Sequence, residues 1–208
     1  MVNFLTQFLG FGSVLLVAKF LTPVELGEVK IIQSYTALFV VLAGFGFNAA
    51  VLKVCAENRP DWEKAGILRL AVNYTGITTA ITLLLIIALA LSGVITSSPR
   101  LSLWLIVYAV SIPLQVLTSI FIVFLQAQKR IREMARSQAI VKVQSVLLVV
   151  ISAWQWGFKG FIVATVAAYA LGLWPFLRQI GLRFLTIPLK KNRRFLSNMH
   201  FLVFWPME

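Results

Sequence analysis

Charge is scarce in this chain of 208 residues: acidic and basic side chains together make up 12% of it, against 60% hydrophobic. A soluble domain carries about 25% charged and about 45–50% apolar residues. No soluble core needs this apolar excess, and a water-facing surface does not tolerate it. Carboxylates are the rarest charges, seven in all: Glu25, Glu28, Glu57, Asp61, Glu63, Glu133 and Glu208. All of them fall in links or in the tail, so no carboxylate pair stands at membrane depth for acid–base work. Cys55 is the single cysteine. It forms no intramolecular disulfide and has no Cys/His cluster around it, so no metal site is expected. His200 is the single histidine. It is a pH switch in principle, but a lone histidine in a tail is more often neither ligand nor catalyst. No GxxxxGK[ST] and no HExxH motif occurs, which leaves no sign of an ATP-binding loop or a metalloprotease helix. Neither a cofactor nor an enzymatic activity is expected.

What is abundant is apolar sequence of spanning length. The mean hydropathy is +0.89. A helix needs about 20 mostly apolar residues to cross the hydrocarbon. Six stretches qualify or nearly do: 4–21, 31–54, 70–95, 101–126, 139–156 and 160–177. Backbone groups inside a bilayer must be satisfied internally, which leaves helices or a closed barrel. Barrel strands alternate apolar and polar residues, and "ITLLLIIALAL" at 81–91 does not. The fold class is therefore all-α, a polytopic membrane protein of six transmembrane helices. "KFLTPVELGEVK" at 19–30 reads as a tight turn between the first two, with Pro23 and Gly27 as breakers.

Orientation follows from the basic residues. Three links carry fourteen of them: Lys53, Arg59, Lys64 and Arg69; Lys129, Arg130, Arg132 and Arg136; Arg178, Arg183, Lys190, Lys191, Arg193 and Arg194. The alternate links carry four: Lys19, Lys30, Arg100 and Lys159. The positive-inside rule places the fourteen, and the N-terminus, in the cytoplasm, and the protein in the cytoplasmic (inner) membrane. The net charge of +12 is thus topogenic, with an added attraction to anionic membrane lipids. Nucleic acid is not an expected partner, because no compact basic module lies outside the spans. The start is not a convincing signal peptide, lacking a basic n-region. The first helix begins almost at Met1, so further N-terminal sequence is expected. Residues 181–208 read as a basic cytoplasmic linker and the opening of an incomplete seventh helix, since the apolar run from Phe195 is too short to span.

Polar groups inside the spans are the remaining functional candidates. They include Gln7, Gln33, Asn48, Asn73, Gln115, Lys142 and Gln144. Such groups are costly in hydrocarbon and face a cavity or another helix. Lys19 and Lys142 lie near the ends of their predicted helices, where snorkelling to the head groups competes with lining a water-filled cavity. Gln33, Asn48 and Asn73 either bond across helices or bind ligand. Gly44 and Gly46 in "LAGFGFNAA" either let helices approach closely or make a hinge. Trp154 and Trp156 fit an interfacial belt.

The stretch "LVAKFLTPVELGEVKIIQSYTALFVVLAGFGFNAAVLKV" resembles the first two helices of bacterial polysaccharide and oligosaccharide flippases, within the multidrug/oligosaccharidyl-lipid/polysaccharide exporter group. The positions that carry the likeness are Lys19, Leu21, Pro23, Gly27, Gly44 and Gly46. Where the family often has an aromatic soon after the turn glycine, Glu28 and Val29 stand here. "IFIVFLQAQKRIREMARSQAIVKV" is similar to the family's fourth and fifth helices. The resemblance implies one six-helix lobe, residues 1–180, of a two-lobe exporter fold. It implies a polyprenyl-pyrophosphate-linked glycan as substrate, moved between leaflets by alternating access for polysaccharide biosynthesis of the O-antigen and lipopolysaccharide kind. Lys19, Gln33, Asn48, Asn73 and Lys142 become candidate substrate-binding residues. One lobe does not enclose a cavity, so a second lobe or a homodimer partner is required, and a truncated chain is expected. Two alternatives stand beside it: a drug or metabolite exporter of the same superfamily, and a non-transport six-helix membrane subunit.

Overall fold

The computed structural model describes residues 2–44, 46–57, 60–95 and 98–180, with side chains from residue 7 onward apart from residue 9. The expected linker and seventh helix at 181–208, with His200 and the basic cluster from Arg183, lie outside the described residues, as does Arg59. Helix is the regular structure of the described residues: α1 (Val2–Phe20), α2 (Pro23–Ala43), α3 (Phe47–Ala56), α4 (Asp61–Leu91), α5 (Pro99–Ala109), α6 (Ser111–Ala127) and α7 (Ile131–Ile180). These make six passages: α1, α2 continued by α3, α4, α5 continued by α6, and the two halves of α7. Among the described residues four stretches, Pro23–Ala43, Asp61–Leu91, Pro99–Ala127 and Ile131–Ile180, are long and apolar enough to cross a membrane. Gly10–Phe20 and Phe47–Ala56 are shorter apolar helices.

The turn between the first two helices is Leu21 and Thr22, not the dozen residues expected from 19–30. Thr22 caps α2: its hydroxyl oxygen accepts from the Glu25 N–H at 3.3 Å, and the Glu25 carboxylate accepts from the Thr22 N–H at 2.9 Å. This reciprocal pair satisfies two helix-end donors. Pro23 sits at the first helical position, where its missing N–H costs nothing. Gly27 therefore lies inside α2, not in a turn. Pro113 has a similar logic in the fourth passage, since it has no N–H to donate to Ala109, and the helix is interrupted at Val110.

The fifth and sixth passages share one unbroken run of helix except at a single residue. A straight 50-residue helix would be about 75 Å long. Instead Arg130 Nη2 donates to the Gln179 carbonyl at 2.7 Å. The Val141 side chain also packs on Gly172, 3.0 Å from where a β-carbon would stand. The chain reverses at Gly157, with φ 57° and ψ −135°, a backbone conformation open essentially to glycine alone. A β-carbon at nearby Gly160 would fall 2.1 Å from the Ser152 carbonyl oxygen. At this end Phe158 packs edge-on against Trp104, with the Arg100 guanidinium 5.6 Å above its ring centre.

Helix α6 packs against α2, α3, α4 and α7. Ile112, Ile120, Phe124 and Leu125 on it are buried, together with Ile32, Leu68, Ile86, Phe158, Ile162 and Phe176 from its neighbours. Phe8, Leu15, Leu38, Ile81, Leu84, Leu147 and Trp154 are exposed. In water such a surface would aggregate; in a bilayer it meets acyl chains. Threonines complete the interior: Thr79 and Thr82 hydroxyls donate to the carbonyls of Thr75 and Thr78 at 2.6 and 2.8 Å, which satisfies them within their own helix.

Candidate functional site

The second passage is broken at membrane depth. α2 stops at Ala43, and Gly46 takes a left-handed φ of 76° before α3 restarts at Phe47. Each such break leaves carbonyls on one side and N–H groups on the other without helical partners. Two of these needs are met. The Gly44 N–H donates to the Val40 carbonyl at 3.0 Å, and the Thr78 hydroxyl of α4 donates to the Ala43 carbonyl at 2.8 Å. The start of α3 receives no side-chain cap.

A cavity of about 370 Å³ opens against this break, lined by Gly44, Gly46, Asn48 and Ser119 over a wall of Val40, Val41 and Val116. Asn48 Nδ2 donates to Ser119 Oγ at 2.8 Å. Asn48 Oδ1 is buried and accepts no hydrogen bond from the protein. The cavity thus offers a carbonyl acceptor, a hydroxyl and an uncapped helix N-terminus beside apolar contacts, and no charged side chain lines it. That set suits a neutral hydroxylated group, which both donates and accepts. Lys53 marks the polar end of α3, seven residues beyond Gly46, so the break lies about 10 Å inside that end.

Lys142 stands eleven residues beyond Ile131, the start of α7, about 16 Å along the helix. The expectation that it lies near a helix end is corrected. The segment "IREMARSQ" continues the helix on the polar side, so α7 begins eight residues ahead of the apolar stretch. The half-buried Lys142 reaches α1, its Nζ 3.0 Å from the position a β-carbon would take on Gly10. A larger residue at Gly10 would occupy the space of the ammonium.

The other candidates are placed as follows. Lys19 is exposed in the last turn of α1. Gln33 is half-buried on α2, on the side of the Tyr108 hydroxyl of α5. Asn73 is exposed on α4, one turn beyond Arg69. The five do not converge on one point. Asn48, Asn73 and Lys142 belong to the half of the bundle that bears Lys53, Arg69 and Arg136, whereas Lys19 and Gln33 belong to the opposite half. Four residues had no place among the sequence candidates: Gly10, Thr78, Tyr108 and Ser119. The threonine-rich run in "NYTGITTAIT" was the visible signal for Thr78. Nothing in the sequence marks Ser119 or Gly10.

At the basic end Arg130 forms a forked ion pair with Glu133, its Nε 3.0 Å from Oε1 and its Nη2 closing on Oε2. The bond to Gln179 ties the same guanidinium to the end of the sixth passage. Lys129 beside it turns the chain with a φ of 58°. Among the described residues no group of three or more His, Cys, Asp and Glu is arranged to hold a metal ion.

A family model described as polysaccharide biosynthesis protein matches residues 1–205. Among solved structures the chain is similar to a lipid II flippase MurJ in an inward closed conformation, with a TM-score of 0.72 and 19% identity. The match takes in 99% of this chain and 47% of that one, so this chain spans about half the length of the flippase. At that identity the likeness bears on the fold: these six passages pack as those in part of a flippase. No match was found among curated proteins.

Proposed function

Because the chain belongs to the polysaccharide biosynthesis protein family, we propose that it takes part in moving a lipid-linked saccharide, a polyprenyl-pyrophosphate-borne repeat, across the cytoplasmic membrane. The observation that carries this is the interrupted second passage with its uncharged cavity, where Asn48 and Ser119 stand over an aliphatic wall. Discontinuous helices are where transporters place substrate sites, because their free ends supply donors and acceptors inside the bilayer. Asn48 and Ser119 meet sugar hydroxyls, and Lys142, at similar depth on another helix, meets the pyrophosphate; Asn73 lies toward the entry side. Lys19 and Gln33 serve the opposite half of the path. The N-terminus and the basic links face the cytoplasm. Residues 1–180 form one lobe and 181–208 the linker that follows it, and a second lobe or a second copy closes the cavity. The O-antigen or lipopolysaccharide assignment rests on the motif resemblance alone.

The test is binding and transfer measured in the same proteoliposomes. A polyprenyl-pyrophosphate-linked saccharide should co-purify with the protein in preference to the polyprenyl pyrophosphate without sugar. Headgroup accessibility to an impermeant probe should rise when the chain and its closing partner are present. Failure to prefer the saccharide-bearing lipid would sink the proposal.

A further inference from the structure

A second cavity, of about 530 Å³, lies at the far end of α2 from the Gly44–Gly46 break. Its walls are Lys30, Ile31, Ser34, Tyr35 and Leu38 of α2, facing Ile95 and Leu101 at the junction of α4 and α5. The volume is that of a ligand site rather than a packing defect. Its contents are ordered along the helix. Lys30 is exposed at the mouth, with the Ser34 and Tyr35 hydroxyls about one turn deeper and Leu38 a further turn in. Ile31 and Leu38 are 45% and 64% exposed, so the floor stays open to the bilayer. Lys30, in the second turn of α2, shares the cavity with Ile95 and Leu101, so it stands level with the link between α4 and α5.

We infer that this groove is a binding site for one anionic glycerophospholipid of the outer leaflet. The Lys30 ammonium takes the phosphate, Ser34 and Tyr35 donate to its oxygens or the ester carbonyls, and an acyl chain lies along Ile31, Leu38 and Leu101. The gradient from cation through hydroxyls to aliphatic side chains is that of a phospholipid from headgroup to tail, and a cation at the interface favours an anionic headgroup. A neutral saccharide would find no polar floor here, and a soluble anion would leave the aliphatic walls bare. The site is separate from the Asn48 cavity and does not depend on the transport reading.

Native mass spectrometry of the full chain, released from detergent with equal phosphatidylglycerol and phosphatidylcholine, tests it. One phosphatidylglycerol should remain bound in preference to phosphatidylcholine. Lys30→Gln should lower that fraction about fivefold, the factor for one basic residue at an anionic surface. Lys30→Arg should retain it, Leu38→Trp should displace it by filling the groove, and Lys53→Gln, outside the groove, should leave it unchanged. Equal retention of phosphatidylcholine, or undiminished retention in Lys30→Gln and Leu38→Trp, overturns the site. Displacement of phosphatidylglycerol by a polyprenyl phosphate would reassign the groove to the transported lipid and overturn the phospholipid assignment.

Discussion

Asn48 separates the energetics of folding from those of binding. Its bond to Ser119 is a single neutral contact between helices, and such bonds average about 0.6 kcal/mol inside membranes. Asn48→Ala should therefore change thermal stability in detergent by less than about 1 kcal/mol. It should weaken saccharide-lipid binding about tenfold, because the ligand's hydroxyls lose their acceptor. A large stability loss with unchanged binding would make Asn48 a packing residue. Gly160 gives the opposite pattern. Gly160→Ala forces a methyl group against the Ser152 carbonyl and should cost about 2 kcal/mol or more in melting experiments. What could be read of these side chains from sequence was their type and not their direction. Gln33 and Asn48 were recognisable as costly groups needing partners, but helical phase alone does not say that Tyr108 and Ser119 face them. Gly10 looked like any small residue until Lys142 was found lying over it.

Helix identity was legible where apolar length settled it, and helix ends were not. Pro23 and Gly27, taken as breakers, put the start of the second span at 31, whereas "TPVE" carries the capping pattern of a Thr followed three residues later by Glu, and α2 begins at Pro23. Removing that cap by Thr22→Ala should cost about 1 kcal/mol. The continuous apolar run alone starts the fifth span at 139, which leaves out the polar opening turns of α7 and puts Lys142 near a helix end. The Arg130 fork holds the two ends of α7 together. Arg130→Ala should speed amide exchange around Gln179 by an amount equivalent to about 1 kcal/mol, since the guanidinium is one-third exposed and partly screened. Arg130→Lys should not rescue it, because an ammonium does not span both carboxylate oxygens and the carbonyl as a planar fork does. Full rescue by lysine would reduce the contact to charge alone.

Among the described residues, Lys53, Lys64, Arg69, Lys129, Arg130, Arg132, Arg136 and Arg178 belong to one end of the passages, and Lys19, Lys30, Arg100 and Lys159 to the other; the positive-inside rule assigns the first end to the cytoplasm. In a Cys55→Ser background, a single cysteine replacing Lys64 should react with an impermeant maleimide from the cytoplasmic side, and one replacing Arg100 from the opposite side. The reverse pattern would invert the topology. The reversal at Gly157 bears on where the chain tolerates an insertion. With one residue for a link, there is no slack on the far side between the fifth helix and the sixth. The two helices stand in lipid as one tight hairpin, and a tag or glycosylation acceptor inserted at 157 should lower the yield of folded protein where the same insertion near Gly93 is tolerated.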